Sequence, residues 1–264
     1  TILSKTFYYP TDQQGNVVKR PDANLRTIAL DQSRLIETRL LVRRSDGWQA
    51  LPYVWNEEQS EAFLRPAGTA VKLTLADPAK EGSKPLAFSY FVPNQNQCSG
   101  CHTTDHPDGG LRPLGAVAQQ LTVPAVDGGG VVRRQVDTLV SRGWLDRAPH
   151  GNAISYLDKS AGLSERAIAY LNMQCGHCHN PQGAADTSGL MLSGGATSGT
   201  ALGICKPPVA AGGGTGNLHY GIVPGDPSRS ILHFRMASTQ PDEMMPELGR
   251  SLVHEEGVAL IRDW

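Results

Sequence analysis

From Thr1 to about Val92, apolar and polar residues tend to alternate one by one, the period of a half-buried strand. Between Arg34 and Arg43, the residues Ile36, Thr38, Leu40 and Val42 fall on one face and mostly charged residues on the other. Ser45-Asp46-Gly47 supplies a turn, with Asp-Gly suited to positive φ, and Trp48 to Trp55 reads as the returning strand. Two more strands are predicted where Val71, Leu73 and Leu75 alternate with Lys72 and Thr74, and where Leu86, Phe88, Tyr90 and Val92 alternate with smaller or polar neighbours. Strands following one another in this way are expected to form an antiparallel sheet. Trp48, Tyr53 and Trp55 suit either the core of that sheet or the cover of a bound group.

Past Val92 the period lengthens. Val136, Leu139 and Val140 recur at helical spacing, which predicts a helix from Val132 to Trp144 ended by Gly143, after a Gly-rich turn at Gly128-Gly129-Gly130. Pro149 to Asp158 reads as a linker, so the chain divides into a β-rich region, residues 1–158, and a mostly helical one, residues 159–264. In the second, Ser164 is the expected N-cap of a helix from Glu165 to Gln174, with Leu163 and Ile168 as its hydrophobic staple. Pro224-Gly225-Asp226-Pro227 makes a turn, Ser228 is expected to cap a short helix leading to Met236, and His254 to Trp264 carries Val258, Ile261 and Trp264 on one stripe. The fold class is therefore α+β. Ser193 to Gly216 is rich in Gly, Ala and Ser and too long for a plain connection, so it is expected to wrap a bound group or a partner; lacking GK[ST], it is no phosphate loop.

Composition narrows the partners. The chain has 264 residues, a net charge of −1 and a pI near 6.7, which argues against nucleic acid or an anionic membrane surface as partner. No run of 18 apolar residues occurs, so no transmembrane segment is expected. A start at Thr1 without a charged and an apolar leader is read as a mature or trimmed chain.

The chemistry lies in the cysteines. Cys98-Ser99-Gly100-Cys101-His102 and Cys175-Gly176-His177-Cys178-His179 both read CxxCH. This is the attachment signature of c-type haem: two thiols add to the vinyl groups and the following His ligates the iron. A zinc ribbon would separate its CxxC pairs by roughly 15–20 residues and needs no His after each. A disulfide framework is disfavoured because two-residue gaps make strained loops and a chain this long needs no staples. Two covalent haems are thus expected, held by Cys98, Cys101, Cys175 and Cys178, with His102 and His179 as proximal ligands. Covalent haem of this class is attached outside the cytoplasmic membrane, so the expected location is periplasmic or extracellular. Cys205 is left over and reads as a small buried apolar residue. His177 is expected to be exposed and unligated.

The second region resembles class I cytochromes c in its helix before CxxCH, its terminal helix with an aromatic, and Met245-Pro246, where that family commonly carries the distal ligand. The resemblance implies crossing helices and Met245 as distal ligand of the second haem, with Met244 as its neighbour and rival. The run from Pro224 through Arg235 to Met245-Pro246 looks like a motif of many bacterial cytochrome c modules. More broadly, a β-rich start followed by two CxxCH motifs resembles exported bacterial dihaem c-type cytochromes. The first haem has no Met before Met173. Its sixth position falls to Met236 crossing over, to His106 or His150, or to no residue at all. Lys206 and Arg235 are candidate propionate contacts.

Three functions follow from these expectations. The leading one is one-electron transfer between a redox donor and an acceptor protein. The second is a dihaem peroxidase or oxygenase with an open first haem, for which Asp105 and His106 are the nearest acid-base groups. The third is a fixed cytochrome subunit of a larger complex, with the β-rich region as its docking module.

Overall fold

The structure is a computed structural model describing residues 1–19, 30–76, 84–115, 117, 121–122, 124–126, 131–148, 154–194, 198–209 and 212–264. The Gly128–Gly130 turn, His150 and the start of the expected linker lie outside the described residues.

The β-rich region holds strands β1 (Ile2–Pro10), β2 (Val17–Val18), β3 (Ser33–Arg44), β4 (Gly47–Trp55), β5 (Ala62–Leu64), β6 (Thr69–Ala76) and β7 (Leu86–Val92). They form two sheets and not the single one expected: β1-β3-β4-β5, antiparallel throughout, and β2-β6-β7, in which β2 runs parallel to β6. The hairpin of β3 and β4 closes at Arg44↔Gly47, where Gly47 has φ +144°. Its aromatics serve the sheet: the indole of Trp55 donates to Thr38 Oγ1 at 3.0 Å, and Arg43 lies 5.8 Å from the ring of Trp48.

The alternation expected of β3 fails at one place. Phe7 pairs with Glu37 and Tyr8 with Leu35, so Ile36 is an extra residue opposite the break. A bulge of this kind interrupts the two-residue repeat and bends the strand. Ile36 joins Val17, Leu73, Leu75, Tyr90 and Val92 in a buried core, and its neighbour Glu37, assigned by pattern to the charged face, is fully buried too.

After β7 comes a 3-10 turn, Gln95–Cys98, and the short helix α1 (Ser99–His102). The expected helix from Val132 to Trp144 is shorter. Strands β8 (Pro124–Val126) and β9 (Val132–Arg134) pair antiparallel, which commits Val132 to a ladder, and only α2 (Gln135–Ser141) is helical. Gly143 follows it at φ +68°.

The second region contains α3 (Leu163–Gln174), α4 (Gly199–Leu202), α5 (Ile231–Ala237) and α6 (Glu255–Asp263). Ser164 does not cap α3. Gly162 takes the N-cap position and its N–H is satisfied by Glu165 Oε2 at 2.9 Å, while Ser164 Oγ accepts from the indole of Trp264 at 3.1 Å. Ser228 likewise lies in a 3-10 turn ahead of α5, and its hydroxyl donates to Asp226 at 2.6 Å. Ala167, Tyr170 and Leu171 on α3, and Gly257, Leu260 and Ile261 on α6, are the i, i+3, i+4 stripes that bury against each other. Gly257 makes this contact close: a Cβ there would lie 2.2 Å from the Tyr170 hydroxyl oxygen. The two regions touch, since Leu252 packs on the β core and Lys19 pairs with Glu255. Among the described residues no helix is long and apolar enough to cross a membrane.

Candidate functional site

The first motif hangs from the end of β7. Asn94 Oδ1 accepts from Gln97 N–H and Gln97 Oε1 from Asn94 N–H, both at 2.9 Å, so a reciprocal cap starts the turn that presents Cys98. The chain then folds back through the Thr103↔Leu111 bridge and places the Arg112 carbonyl 2.8 Å from His102 Nδ1. A carbonyl only accepts. Nδ1 therefore carries the proton and Nε2 keeps its lone pair, the tautomer a metal-ligating imidazole needs. Burial holds His102 below the usual imidazole range, which also favours the neutral ring.

Behind Cys98 lies the charged cluster that the bulge creates. Arg39 clasps Glu37 through Nε at 2.8 Å and Nη2 at 2.5 Å, and Tyr90 donates its hydroxyl to Glu37 at 2.6 Å. Three donor groups on one buried carboxylate offset much of its desolvation. Burial raises the Cys98 thiol, and the positive charge of Arg39 partly counters it.

The second motif follows α3 directly. Gly176 is required there: a Cβ would meet the Asn172 carbonyl at 2.6 Å and Ser193 Cα at 2.8 Å. Asn180, buried and immediately after the motif, clamps the loop by donating to the carbonyls of Gly176 at 2.9 Å and His177 at 3.0 Å. Ser188 fixes the ligand. Its hydroxyl proton goes to the Ala185 carbonyl at 2.6 Å, which leaves its lone pairs to accept from His179 Nδ1 at 3.0 Å. His179 thus has the same tautomer as His102, with Nε2 free. Burial pushes it down to about 4, so the ring stays neutral.

Cys175 and His179 line a cavity of about 390 Å³, together with Lys206, Arg235, Met236 and Met245. Burial pushes the Cys175 thiol up to about 12. The loop bearing Met245 is laced to the end of α5: Met245 N–H donates to the Arg235 carbonyl at 3.0 Å, Arg235 Nε to the Glu243 carbonyl at 2.8 Å, and Arg250 Nη2 to the Ser238 carbonyl at 2.6 Å. Arg235, expected as a propionate contact, lines the cavity but spends its Nε on this loop. Lys206 also lines it, and its ammonium donates to the Ser188 carbonyl at 2.6 Å. Met236, one of the candidates for the sixth position of the first haem, lines this same cavity beside Cys175 and His179 and packs with Leu171, Leu192 and Leu260. It sits on the buried stripe of α5, which faces the core of its own region.

The two motifs meet. Ligand atoms of Cys101, His177 and Cys178 all lie within 4.8 Å of one another, Cys178 Sγ is 3.8 Å from the Gly100 carbonyl, and His106 N–H donates to the Gln182 carbonyl at 3.0 Å. His177 is thus half-buried between the motifs and not exposed. The closeness of Cys178 and His177 lowers the Cys101 thiol from the usual thiol range. Cys205, expected to be buried, is exposed at φ +51°.

These residues fit c-type haem. Each CxxCH pairs two thiols with a neutral imidazole whose Nε2 is free, and an apolar cavity adjoins the second. Each motif also has an arginine nitrogen suited to a carboxylate: Arg112 Nε, next to the His102 contact, and Arg250 Nε, on the cavity, are buried without a hydrogen-bond partner among the described residues. Motif spacing announced the cysteines and histidines. Ser188, Asn180, Arg112 and Arg250 carried no such signal, apart from the position of Asn180 directly after the second motif. In comparisons with known proteins, no family model, no curated protein and no solved structure matches the chain.

Proposed function

We propose that this chain is a dihaem c-type cytochrome that passes single electrons between a donor and an acceptor protein outside the cytoplasm. Cys98 and Cys101 hold one haem and Cys175 and Cys178 the other, with His102 and His179 as proximal ligands and Met245 as the distal ligand of the second. The second region then plays the part of a class I cytochrome c module, with α3 and α6 as its crossing helices. Haem supplies reversible one-electron chemistry. The chain sets its potential through ligand type, burial and hydrogen bonding. The observation that carries this reading is the cavity of about 390 Å³ that joins Cys175, His179 and Met245 around mostly apolar walls.

The test is a haem assay and a spectrum of the exported protein. Two covalent haems per chain are expected, one of them showing the long-wavelength Met-to-iron band of a low-spin His/Met centre. Met245→Ala should abolish that band and Met236→Ala should keep it. A chain that leaves the exporting cell with no covalent haem overturns the reading, and the reverse pattern in the two Met variants reassigns the ligand.

A second reading is a peroxide-reacting first haem that draws electrons from the second. It is favoured by the position of Met236, the methionine considered for the first haem, which lines the cavity beside Cys175 and His179. A high-spin ferric signal that shifts on adding cyanide or peroxide is its mark, and two low-spin haems indifferent to both would exclude it.

A further inference from the structure

Resting on the dihaem reading, we propose that Cys101, His177 and Cys178 form a junction that holds the two haems edge to edge, so that electrons cross between them without an intervening protein element. Each of these cysteines is the second of its motif, and its sulfur would bond to a vinyl-derived carbon attached to a pyrrole ring. Each sulfur therefore stands two bonds from its porphyrin. Two sulfurs whose separation is no more than 4.8 Å cannot hold their rings far apart.

The closeness is not the accident of two flexible side chains. The two loops are tied backbone to backbone by His106 N–H on the Gln182 carbonyl at 3.0 Å, and Cys178 Sγ packs 3.8 Å from the Gly100 carbonyl. Both motif loops are stiffened from within as well. Thr103 Oγ1 donates to the Ser99 carbonyl at 2.7 Å in the first, and Asn180 clamps the second at the carbonyls of Gly176 and His177. His177 is a positioning residue here. It is the variable residue just before Cys178, and a half-buried imidazole in that place fills the gap between the two motifs.

The exchange this junction would serve moves one electron between two bound haems, the loss at one balanced by the gain at the other with no bond made or broken, and the part of Cys101, His177 and Cys178 would be to hold the attachment points together. The junction also predicts that the potentials are coupled. Oxidising one haem places a positive charge beside the other and makes the second oxidation harder.

The experiment uses the exported full chain with its haems. Two haems in contact should give a bisignate circular-dichroism couplet centred on the Soret maximum, and a ferric EPR signal smaller or differently shaped than the sum of the signals of two single-haem variants. Those variants are Cys98→Ser with Cys101→Ser, and Cys175→Ser with Cys178→Ser; each should show one simple Soret band and no couplet. His177→Ala should keep both haems and weaken the couplet, and an unchanged couplet removes His177 from the junction. Two covalent haems whose dichroism and EPR both equal the sum of the single-haem spectra overturn the junction while leaving the dihaem reading standing. A chain without covalent haem overturns both. If one variant does not fold, the couplet of the unaltered chain and its EPR spin count decide the question alone.

Discussion

The two CxxCH segments have the same five-residue grammar and different surroundings. The first sits on a capped turn at the end of a strand, with the Glu37, Arg39 and Tyr90 cluster close behind Cys98 and a peptide carbonyl on His102 Nδ1. The second follows a helix, opens on an apolar cavity lined by two methionines, and has a hydroxyl on His179 Nδ1. A carbonyl is the better acceptor, so it draws more electron density into the imidazole. A more electron-rich ligand favours ferric iron and lowers the potential, whereas a thioether opposite His raises it. In the dihaem reading proposed above, one motif would therefore serve two redox levels, the motif setting attachment and its neighbours the potential. In the proposed dihaem protein, electrons would run downhill from the first haem to the second.

Four substitutions test this contrast, from the largest effect to the smallest. Arg39→Leu leaves Glu37 buried and short of its ionic partner, and should cost about 3–5 kcal/mol in urea unfolding of the haem-loaded chain. A Glu37→Leu/Arg39→Met pair should recover most of that loss; a single variant as stable as the parent would mean that the cluster does not hold the first region together. Leu171→Ala makes the corresponding test of the second region. Leu171 is buried against Met236 and Leu260, so a loss of about 2–5 kcal/mol is expected, with the Met-to-iron band perturbed and the first haem spectrum untouched.

Gly257→Ala gains helix propensity, yet its Cβ would collide with Tyr170, so a net loss of about 1–3 kcal/mol is expected. A gain in melting temperature would show that the helix contact relaxes freely. Ser188→Ala is the subtlest. It removes the acceptor from His179 Nδ1–H, which should raise the potential of the second haem and leave that of the first unchanged, with stability lower by about 1 kcal/mol. A potential that moves at the first haem would break the assignment of Ser188 to one site.

Much of this was legible along the chain. The predicted strands around Ile36, Trp48, Val71 and Phe88 correspond to β3, β4, β6 and β7 within a few residues, because alternation is a local property of extended backbone. The helices before Cys175 and at the C-terminus were legible for the same kind of reason. What escaped were choices between competing partners that no repeat records. Val132 was assigned to a helix by its spacing and went into a strand because Pro124–Val126 offered it a ladder. Ser164 had the chemistry of a cap, but Gly162 and Glu165 already satisfied that end, and the hydroxyl turned to Trp264.

Met236 illustrates the same limit at the site. Its spacing from Ile231 and Leu232 fits a helical stripe, and a stripe says that a residue is buried without saying against what. The element order alone left it free to reach either motif, and the packing of α5 with α3 and α6 turned it to the cavity beside Cys175 and His179.

By itself, the sequence determined the two CxxCH motifs with the haem expectation they carry, the β-rich start and the helical end, all of which depend on residues near one another in the chain. Only the tertiary structure decided that Glu37 is buried, that Ser188 and the Arg112 carbonyl select the tautomers of His179 and His102, and that Cys101 meets Cys178. Glu37 with Tyr90 and Cys101 with Cys178 join distant segments through the packing of sheets and helices, whereas His102 with Arg112 and His179 with Ser188 close short loops, and no local periodicity encodes either kind of contact.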